Sequence, residues 1–360
     1  MRVRDLPGWL DKQPVVTVRR DETASAAAQK MQAYQVGSLV VLDRKGRLAG
    51  ILTERDLLMR VLVGNRDPAR TSVAEVMTHP VICCGLDMSL PDVQQVMAGQ
   101  SFRHVPVVEG EKVVGMVSVR EVASCIADTE RSSRELTIFA LARLAESRDP
   151  ETGLHLERVR EYAGVLSQAL ATCKRFRDNI DEEFLALIRA TSVLHDIGKV
   201  GIPDYILLKP DRLNREEFEI MKTHSIRGAE TLETALHRFP DAKYLQMARD
   251  IAAYHHERYD GTGYPDGLAG DAIPLCARVF GLADVYDALA SKRVYKEAFS
   301  HEVASNIILE NDATHFDPDV VAAFSCCDGQ FRAIHREFRR QADDEQPVAE
   351  DRASLPCPTS

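Results

Sequence analysis

The sequence lacks any apolar run approaching the roughly 20 residues that a membrane-spanning helix needs. Its first fourteen residues carry charges throughout and contain no apolar stretch, so we expect no signal peptide there. The eight cysteines show no CxxC spacing, which is the arrangement expected of a zinc or redox motif. We therefore expect a cytoplasmic protein with free thiols and no membrane insertion.

A basic surface is also lacking. The 360 residues carry a formal net charge of −10, from 45 Lys and Arg against 55 Asp and Glu. Because DNA-binding domains normally present a basic face, we expect no DNA binding. The charge is compatible with a small anionic substrate, since bound cations can reverse the local field. The length allows two domains of ordinary size.

The first third of the chain contains two copies of one pattern. Each copy has an amphipathic helix, an apolar strand, a turn bearing glycine, a second strand and a second helix. The first copy has its helix at 24–34 and its strands within 37–56, and the second copy has them at 90–100 and within 103–121. The pattern therefore predicts two similar small α/β units in tandem.

Two β-α-β-β-α units in tandem resemble a cystathionine-β-synthase (CBS) domain pair. The resemblance covers residues 14–127, after an N-terminal segment 1–13, with repeats at about 14–66 and 72–127. Such pairs commonly bind adenosine nucleotides between the repeats, so the resemblance implies an adenine nucleotide as a partner.

The resemblance also assigns a regulatory nucleotide site. Thr53 and Asp56 match the family's S/T-x-x-D pattern, in which the Asp takes the ribose hydroxyls. The second copy has Glu121 after Ser118 and so departs from the pattern at the carboxylate. The sequence leaves open whether the pair regulates the rest of the chain or only dimerises it.

A helix is predicted to follow the repeats. Residues 119–148 contain neither Gly nor Pro and carry an interrupted apolar stripe at helical spacing, so 128–148 is predicted as a connecting helix. It either self-associates, which would give a homodimer, or packs on its own domain. At the other end of the chain, the polar and acidic composition of 339–360 predicts a disordered tail.

Histidines and carboxylates recur along the mainly helical region 135–335. The adjacent pair His195-Asp196 follows an apolar stretch, and on a helix its imidazole could take one ion while the two carboxylate oxygens bridge a pair. A lone pair of this kind is more often a core histidine beside a carboxylate, but this one has companions on four other segments. They are Glu151 and His155, which are four residues apart, His224, the pair His255 and His256, and Asp284.

This combination predicts a metal cluster. Imidazole and carboxylate ligands without a thiolate argue against a structural zinc site and suit iron or manganese, and equally cobalt or nickel. A glycine-rich loop follows the histidine pair at 255–267. Its glycines, Gly261, Gly263 and Gly267, permit positive φ and close backbone approach to a ligand, and Tyr264 can stack on a base.

These motifs, in this order, resemble the HD-GYP family of metal-dependent phosphohydrolases. The resemblance spans about 135–325 and implies an all-α HD-type helical bundle, which we expect at 135–335. It rests on five stretches: His195-Asp-Ile-Gly-Lys199, Gly201-Ile-Pro-Asp204 with Lys209-Pro210, Met221-Lys-Thr-His224, the 255–267 loop, and Ala283-Asp-Val-Tyr-Asp-Ala288 followed by Arg293-Val-Tyr-Lys296. It implies hydrolysis of cyclic di-GMP to linear pGpG and, in some members, on to GMP.

Carried over by position, the resemblance gives each residue a role. Asp196 and Lys199 are implied to be catalytic, with Lys199 facing the scissile phosphate. The implied ligands of two metal ions are His195, Asp196, His224, His255, His256 and Asp284, and the pair Glu151 and His155 matches members that hold a third ion. The implied substrate contacts are Gly263, Tyr264, Arg293 and Lys296.

The sequence thus predicts a multidomain α+β protein, in which a CBS pair precedes a helical phosphodiesterase with two or three divalent ions. Two alternatives stay open. One is a catalytically silent HD-GYP scaffold, although the intact ligand set argues against it. The other is a phosphodiesterase for a different cyclic dinucleotide, such as cyclic GMP-AMP.

Overall fold

A computed structural model describes residues 1–9, 15–100, 102–147, 154–291 and 298–344. The chain divides into two units, Met1–Ser133 and Arg134–Ser360. Within the described residues, the named strands all belong to the first unit and the second is built from helices. The predicted class, small sheets with helices followed by a helical domain, is confirmed.

The first unit contains two three-stranded sheets of the same topology. In each sheet the first strand pairs parallel with the second, and the second pairs antiparallel with the third. The strands are β1 (Thr17–Arg19), β2 (Ser38–Leu42), β3 (Leu48–Thr53), β4 (Cys84–Gly85), β5 (His104–Glu109) and β6 (Lys112–Ser118). The helices are α1 (Ala24–Tyr34), α2 (Glu54–Asp56), α3 (Val73–Val76) and α4 (Leu90–Gln100).

Local sequence sets the boundaries of these elements. The Thr23 hydroxyl accepts a hydrogen bond from the backbone N–H of Ala26 and so caps α1. Thr53 and Asp56 form a reciprocal capping box at the start of α2, and the chain then continues as a π-helical turn, Leu57–Leu62. In each repeat, β-branched and leucine side chains of the sheet are buried against the helices of the same repeat, so each repeat has its own core.

A long helix, α5 (Val119–Glu146), begins directly after β6 and runs for 28 residues without a break. Within the second unit, its Ile138 and Ala142 pack in a core cluster with Leu156 and Leu232. The C-terminal part of this helix is therefore anchored by apolar burial.

The second unit is a helical bundle. Its helices are α6 (His155–Leu170), α7 (Glu182–Thr191), α8 (Asp204–Leu207), α9 (Arg215–Leu236), α10 (Lys243–Tyr254), α11 (Leu275–Ala290), α12 (His301–Glu310) and α13 (Pro318–Asp344). Aromatic rings fill its centre: Tyr162 stacks on Phe331, and Tyr286 meets both rings edge-on. This core holds α6, α11 and α13 together.

Two sequence predictions are corrected. The disordered tail predicted from residue 339 is wrong for its first six residues, because α13 extends to Asp344. Those residues contain no Gly or Pro and include good helix formers, so an exposed helix end had the polar composition of a tail. His195-Asp196 does not lie on an α-helix, because α7 ends at Thr191 and 3₁₀ turns follow at Ser192–Leu194 and Ile197–Gly201.

Among the described residues, the helices are all too short or too polar to cross a lipid bilayer.

Candidate metal centre

Five segments of the second unit bring the predicted ligands together. They form two groups, and within each group the ligand atoms all lie within 4.8 Å of one another. One group comprises Asp196, His224, His255 and His256, and the other comprises His155, His195 and Asp284. Glu151 lies outside the described residues, so its predicted place beside His155 stays a prediction.

Asp196 belongs to the first group and also faces the second. Its Oδ2 is 3.1 Å from Nε2 of His195, and its Oδ1 is 3.2 Å from Nε2 of His224 and 3.8 Å from Nε2 of His255. Each oxygen of the carboxylate therefore faces a different histidine group. This is the arrangement expected of a carboxylate that bridges two cations.

The imidazoles are oriented by hydrogen bonds to their own backbone. Nδ1 of His195 is 3.1 Å from the carbonyl of Ser192, Nδ1 of His224 is 2.7 Å from that of Met221, and Nδ1 of His255 is 3.0 Å from that of Ile251. A carbonyl can only accept, so in each ring Nδ1 carries a proton, and the neutral form of the ring presents a lone pair at Nε2.

Those lone pairs have no partner within the described part of the chain. Nε2 of His195, His224 and His255 and Oδ1 of Asp196 are buried and make no hydrogen bond there. A buried polar atom without a partner costs about 1–3 kcal/mol, so four converging ones need an explanation. Divalent cations satisfy all four atoms, and the donor set therefore fits divalent metal ions.

The electrostatics of the site also suit a cation. Burial lowers the pKa of His255 well below its usual range, and burial together with the nearby His224 lowers the pKa of His256 to about 4. Burial opposes ionisation of Asp196, but the charges of Lys199 and His195 outweigh it and hold the pKa of the carboxyl well below its usual range. These two imidazoles are therefore neutral and the carboxylate is ionised at neutral pH, which are the forms that bind metals.

The sequence reasoning missed two residues that hold His155. Nδ1 of His155 is 2.8 Å from Oδ2 of Asp287, and Arg158 makes a two-point contact with the same carboxylate, at 2.6 and 2.9 Å. Asp287 is 1% exposed, and Arg158 is also buried. The carboxylate fixes the ring so that Nε2 points towards Asp284, 3.9 Å away. Spacing could have found both, since Asp287 is three residues after Asp284 and Arg158 is three after His155.

Glycine allows the segment bearing Asp196 to approach α9. A Cβ on Gly198 would lie 1.9 Å from the carbonyl oxygen of His224 and 2.5 Å from the backbone nitrogen of Gly228. No side chain fits there, so the glycine brings Asp196 and His224 within reach of each other.

The glycine-rich loop folds against the histidine pair. Gly261 and Gly267 have φ of +79° and +67°, but Gly263 does not have positive φ. A Cβ on Gly263 would instead lie 2.3–2.6 Å from backbone atoms of residues 256–258. Gly263 was expected to let the backbone approach a ligand closely, but it instead lets the loop pack against the backbone of residues 256–258. It sets the Tyr264 ring 4.8 Å from that of His256.

Glu257 ties the loop to the metal-binding turn and was also missed from the sequence. Its Oε1 accepts hydrogen bonds from the backbone N–H groups of Asp266 and Gly267, at 2.8 and 3.0 Å. The side chain is buried, and it directly follows the His255-His256 pair. Only its position beside the pair could have suggested this role.

The remaining predicted residues lie as follows. Lys199 places Nζ 2.8 Å from Oδ2 of Asp196, so its charge is inside the site. Arg293 and Lys296 lie outside the described residues, and their predicted substrate contacts stay predictions.

In the first unit, Thr53 and Asp56 line a cavity of about 520 Å³. Its wall includes Arg55, Arg103 and His104. Asp56 is already engaged there: Oδ2 accepts from the hydroxyl and backbone N–H of Thr53, and Oδ1 from the hydroxyl of Thr78. The volume is that of a small-ligand pocket.

The fold and the site together define a helical domain with a two-group His/Asp metal centre. The chain belongs to the HD domain family, whose sequence model matches residues 140–320. The CBS domain model matches residues 3–63 and 73–128, which confirms the tandem CBS pair. Both findings agree with the resemblance to HD-GYP proteins.

Three curated relatives illustrate the similarity. A cyclic di-GMP phosphodiesterase of Vibrio cholerae is 42% identical over 71% of this chain and 53% of its own length. The cyclic di-GMP phosphodiesterase response regulator RpfG of Xanthomonas campestris is 41% identical over 59% of this chain and 52% of its own. The 3'3'-cGAMP-specific phosphodiesterase 2 of Vibrio cholerae is 38% identical over 56% of this chain and 36% of its own. The chain spans about half the length of the first two relatives.

The contact between Asp287 and His155 generates a prediction. Asp287→Asn should weaken metal binding by about 10- to 100-fold, because the ring of His155 loses the carboxylate that orients it. Metal retained after dialysis against a graded series of chelator concentrations measures this change.

Asp317→Asn is the matched control. Asp317 is also 1% exposed and pairs with a buried arginine, 2.6 Å from Nη1 of Arg278, but it contacts no histidine of the centre. If both variants lose metal equally, or neither does, Asp287 does not position His155 for a metal.

Proposed function

We propose that the second unit is a metal-dependent phosphodiesterase that hydrolyses cyclic di-GMP to linear pGpG. The observation that carries the proposal is the placement of the Asp196 carboxylate, with Oδ2 facing Nε2 of His195 and Oδ1 facing Nε2 of His224, two buried nitrogens that make no hydrogen bond within the described part of the chain. The names of two relatives, both cyclic di-GMP phosphodiesterases, support the substrate. Product analysis decides whether pGpG is cleaved further to GMP.

The proposal includes two or three divalent ions, with iron or manganese as the metals. Two groups of ligands support at least two ions, and Glu151 beside His155 would add a third. The ligands are imidazoles and carboxylates without a thiolate, which suits these metals.

In this proposal the residues of the chain orient the phosphodiester and stabilise its negative charge. Divalent cations held by these residues would supply a deprotonated water nucleophile at neutral pH and charge to neutralise phosphate oxygens. Lys199, 2.8 Å from Asp196, places an ammonium where it can bind a non-bridging oxygen or give a proton to the leaving oxygen. Tyr264, whose ring lies 4.8 Å from that of His256 at an interplanar angle of 35°, would form a wall of the substrate site, and Arg293 and Lys296 would hold the anionic substrate.

A second candidate substrate is cyclic GMP-AMP. The relative specific for 3'3'-cGAMP supports it, and the loop residues of this chain do not distinguish the two. A catalytically silent scaffold is the weaker alternative, because it would not need the full set of converging ligand atoms. Parallel assays with both cyclic dinucleotides on metal-replete protein decide among the three.

We further propose that the CBS pair binds an adenine nucleotide and regulates hydrolysis. The cavity beside Thr53 and Asp56 has room for such a ligand, and Arg55 and Arg103 in its wall suit the phosphates. The unbroken α5 runs from β6 to Glu146. Its Ile138 and Ala142 share a core cluster with Leu156 and Leu194, the chain neighbours of His155 and His195, so this part of the helix lies near the metal centre.

We also propose a cytoplasmic homodimer. Leu136, Leu141 and Leu144 on α5 are 70%, 52% and 69% exposed, although each is apolar. A row of exposed leucines on one helix supports self-association. The cytoplasmic placement is supported by the scattered thiols, which are free where the structure describes them.

The first prediction from this proposal concerns the bridging carboxylate. Asp196→Ala should abolish hydrolysis of cyclic di-GMP and lower bound metal, because two cations would face each other without the carboxylate between them. Product separation and elemental analysis measure the two effects, and the wild-type analysis gives the number of ions. Asp241→Ala, at an exposed site between α9 and α10, is the control. Activity of Asp196→Ala within a few-fold of wild type would contradict the assigned centre.

The second prediction concerns Lys199. Lys199→Ala should keep its metal and lose rate by a factor on the order of hundreds, if its charge acts on the transition state. Single-turnover rates and metal content are compared with those of Lys174→Ala, an exposed lysine. A loss of metal in Lys199→Ala would assign the residue to the stability of the centre and not to the chemistry.

The third prediction concerns the CBS pair. Calorimetry with AMP, ATP and S-adenosylmethionine should show binding to wild type and at least ten-fold weaker binding to Asp56→Ala. A typical coupling of about 1–3 kcal/mol would change the hydrolysis rate roughly 5- to 150-fold at saturating nucleotide.

Glu121→Ala is the matched control, because Glu121 makes the equivalent capping box with Ser118 in the second repeat. It should retain nucleotide binding. The proposal is wrong if the wild-type protein binds none of the three ligands, or binds them without a change in hydrolysis rate. The CBS pair would then have a structural role only.

A further inference from the structure

Aromatic rings extend outward from the metal centre. The Tyr264 ring lies 4.8 Å from the ring of His256, and the Phe218 ring lies 6.4 Å from that of Tyr264 at an interplanar angle of 82°. Phe218 is 47% exposed, so half of this large apolar side chain faces solvent beside the site. Exposed aromatic rings next to a reaction centre suit a planar ligand.

Lys222 is held beside these rings. It lies one turn along α9 from Phe218, and its Nζ is 5.7 Å from the Phe218 ring centre and 5.6 Å from the Tyr264 ring centre. Both distances are within cation–π range. The carboxylate of Glu219, 2.7 Å away, takes one of the three donors of the ammonium.

This arrangement matches the part of the proposed substrate that the metal centre does not take. A cyclic dinucleotide has two purine bases and two phosphodiesters, and only one phosphodiester can be at the metal ions. Purine bases stack on aromatic rings, and an ammonium attracts a phosphodiester. Phe218 and Lys222 present both features at the outer side of Tyr264.

We propose that Phe218 and Lys222 form an outer substrate subsite, in which Phe218 stacks on a purine base and Lys222 binds the phosphodiester remote from the metals. The inference rests on the proposed phosphodiesterase function and assigns these two residues to its specificity. Neither residue is needed to bind metal, since His224 is the metal-site residue that α9 supplies.

Steady-state kinetics with two substrates test the subsite. Phe218→Ala should raise the KM for cyclic di-GMP about 5- to 150-fold, the range for losing one base stack, with kcat changed only a few-fold. Bis(p-nitrophenyl) phosphate has no purine, so kcat/KM for it should change less than two-fold. Lys222→Met should also raise the KM for cyclic di-GMP and make it less sensitive to salt.

Matched controls come from the same region. Phe239→Ala removes a phenylalanine that is 63% exposed just beyond the end of α9, and Lys243→Met removes a lysine paired with Glu183. Both should leave the KM for cyclic di-GMP unchanged. Metal content should equal that of wild type in all four variants.

A double-mutant cycle separates direct contact from support of Tyr264. If Phe218 stacks on the base itself, Phe218→Ala raises the KM further in a Tyr264→Ala background. If the effect disappears in that background, Phe218 acts only through Tyr264 and the subsite is overturned.

Two further outcomes distinguish this inference from the proposed function. Wild type that is inactive on cyclic di-GMP overturns the proposed function and this subsite with it. Active wild type in which Phe218→Ala keeps its KM, or loses equally on both substrates, overturns the subsite alone.

Discussion

A hydrogen bond from ring Nδ1 to a backbone carbonyl three or four residues back sets the direction of three imidazoles in the centre. Because the donors are His195, His224 and His255, each Nε2 lone pair is turned inward by the segment that carries it. The positions of the other residues of the centre depend on these three ring orientations. With the rings fixed, Asp196 can face both histidine groups, and Gly198 is needed to bring its segment close enough to α9.

This geometry is unfavourable for the chain alone. Each unpartnered ligand atom that converges on the centre costs about 1–3 kcal/mol, against a total folding free energy of about 5–15 kcal/mol for a typical domain. The buried ion pair of Arg158 with Asp287 contacts the centre at His155, and the aromatic core of Tyr162, Tyr286 and Phe331 packs helices α6 and α11, which carry these residues. A bound ion offsets the remaining cost, because any ligand that binds only the folded state stabilises it.

The sequence predicted the repeats, the helical domain and the types of residue at the centre, because periodicity and motif order are local properties. Helix α1 and helix α4 have the bounds that their apolar spacing predicted. It did not predict the roles of Asp287, Arg158 and Glu257: spacing places each of them beside a predicted ligand, but the local pattern does not say which group each one binds. The 3₁₀ backbone around Asp196 was also missed, and its close contact with α9 at Gly198 is a tertiary feature that local pattern does not record.

The attachment of the glycine-rich loop to the metal-binding turn limits the substitutions that the loop can accept. Gly263 has no room for a side chain against residues 256–258, and Glu257 holds the loop backbone from the same turn. A mutation that reshapes the loop backbone is therefore expected to displace His256 as well, so the loop and this metal ligand cannot change independently. Phe218 differs in this respect: it lies on α9, six residues before His224, and 47% of it faces solvent, so its side chain can be exchanged without a change in the loop backbone.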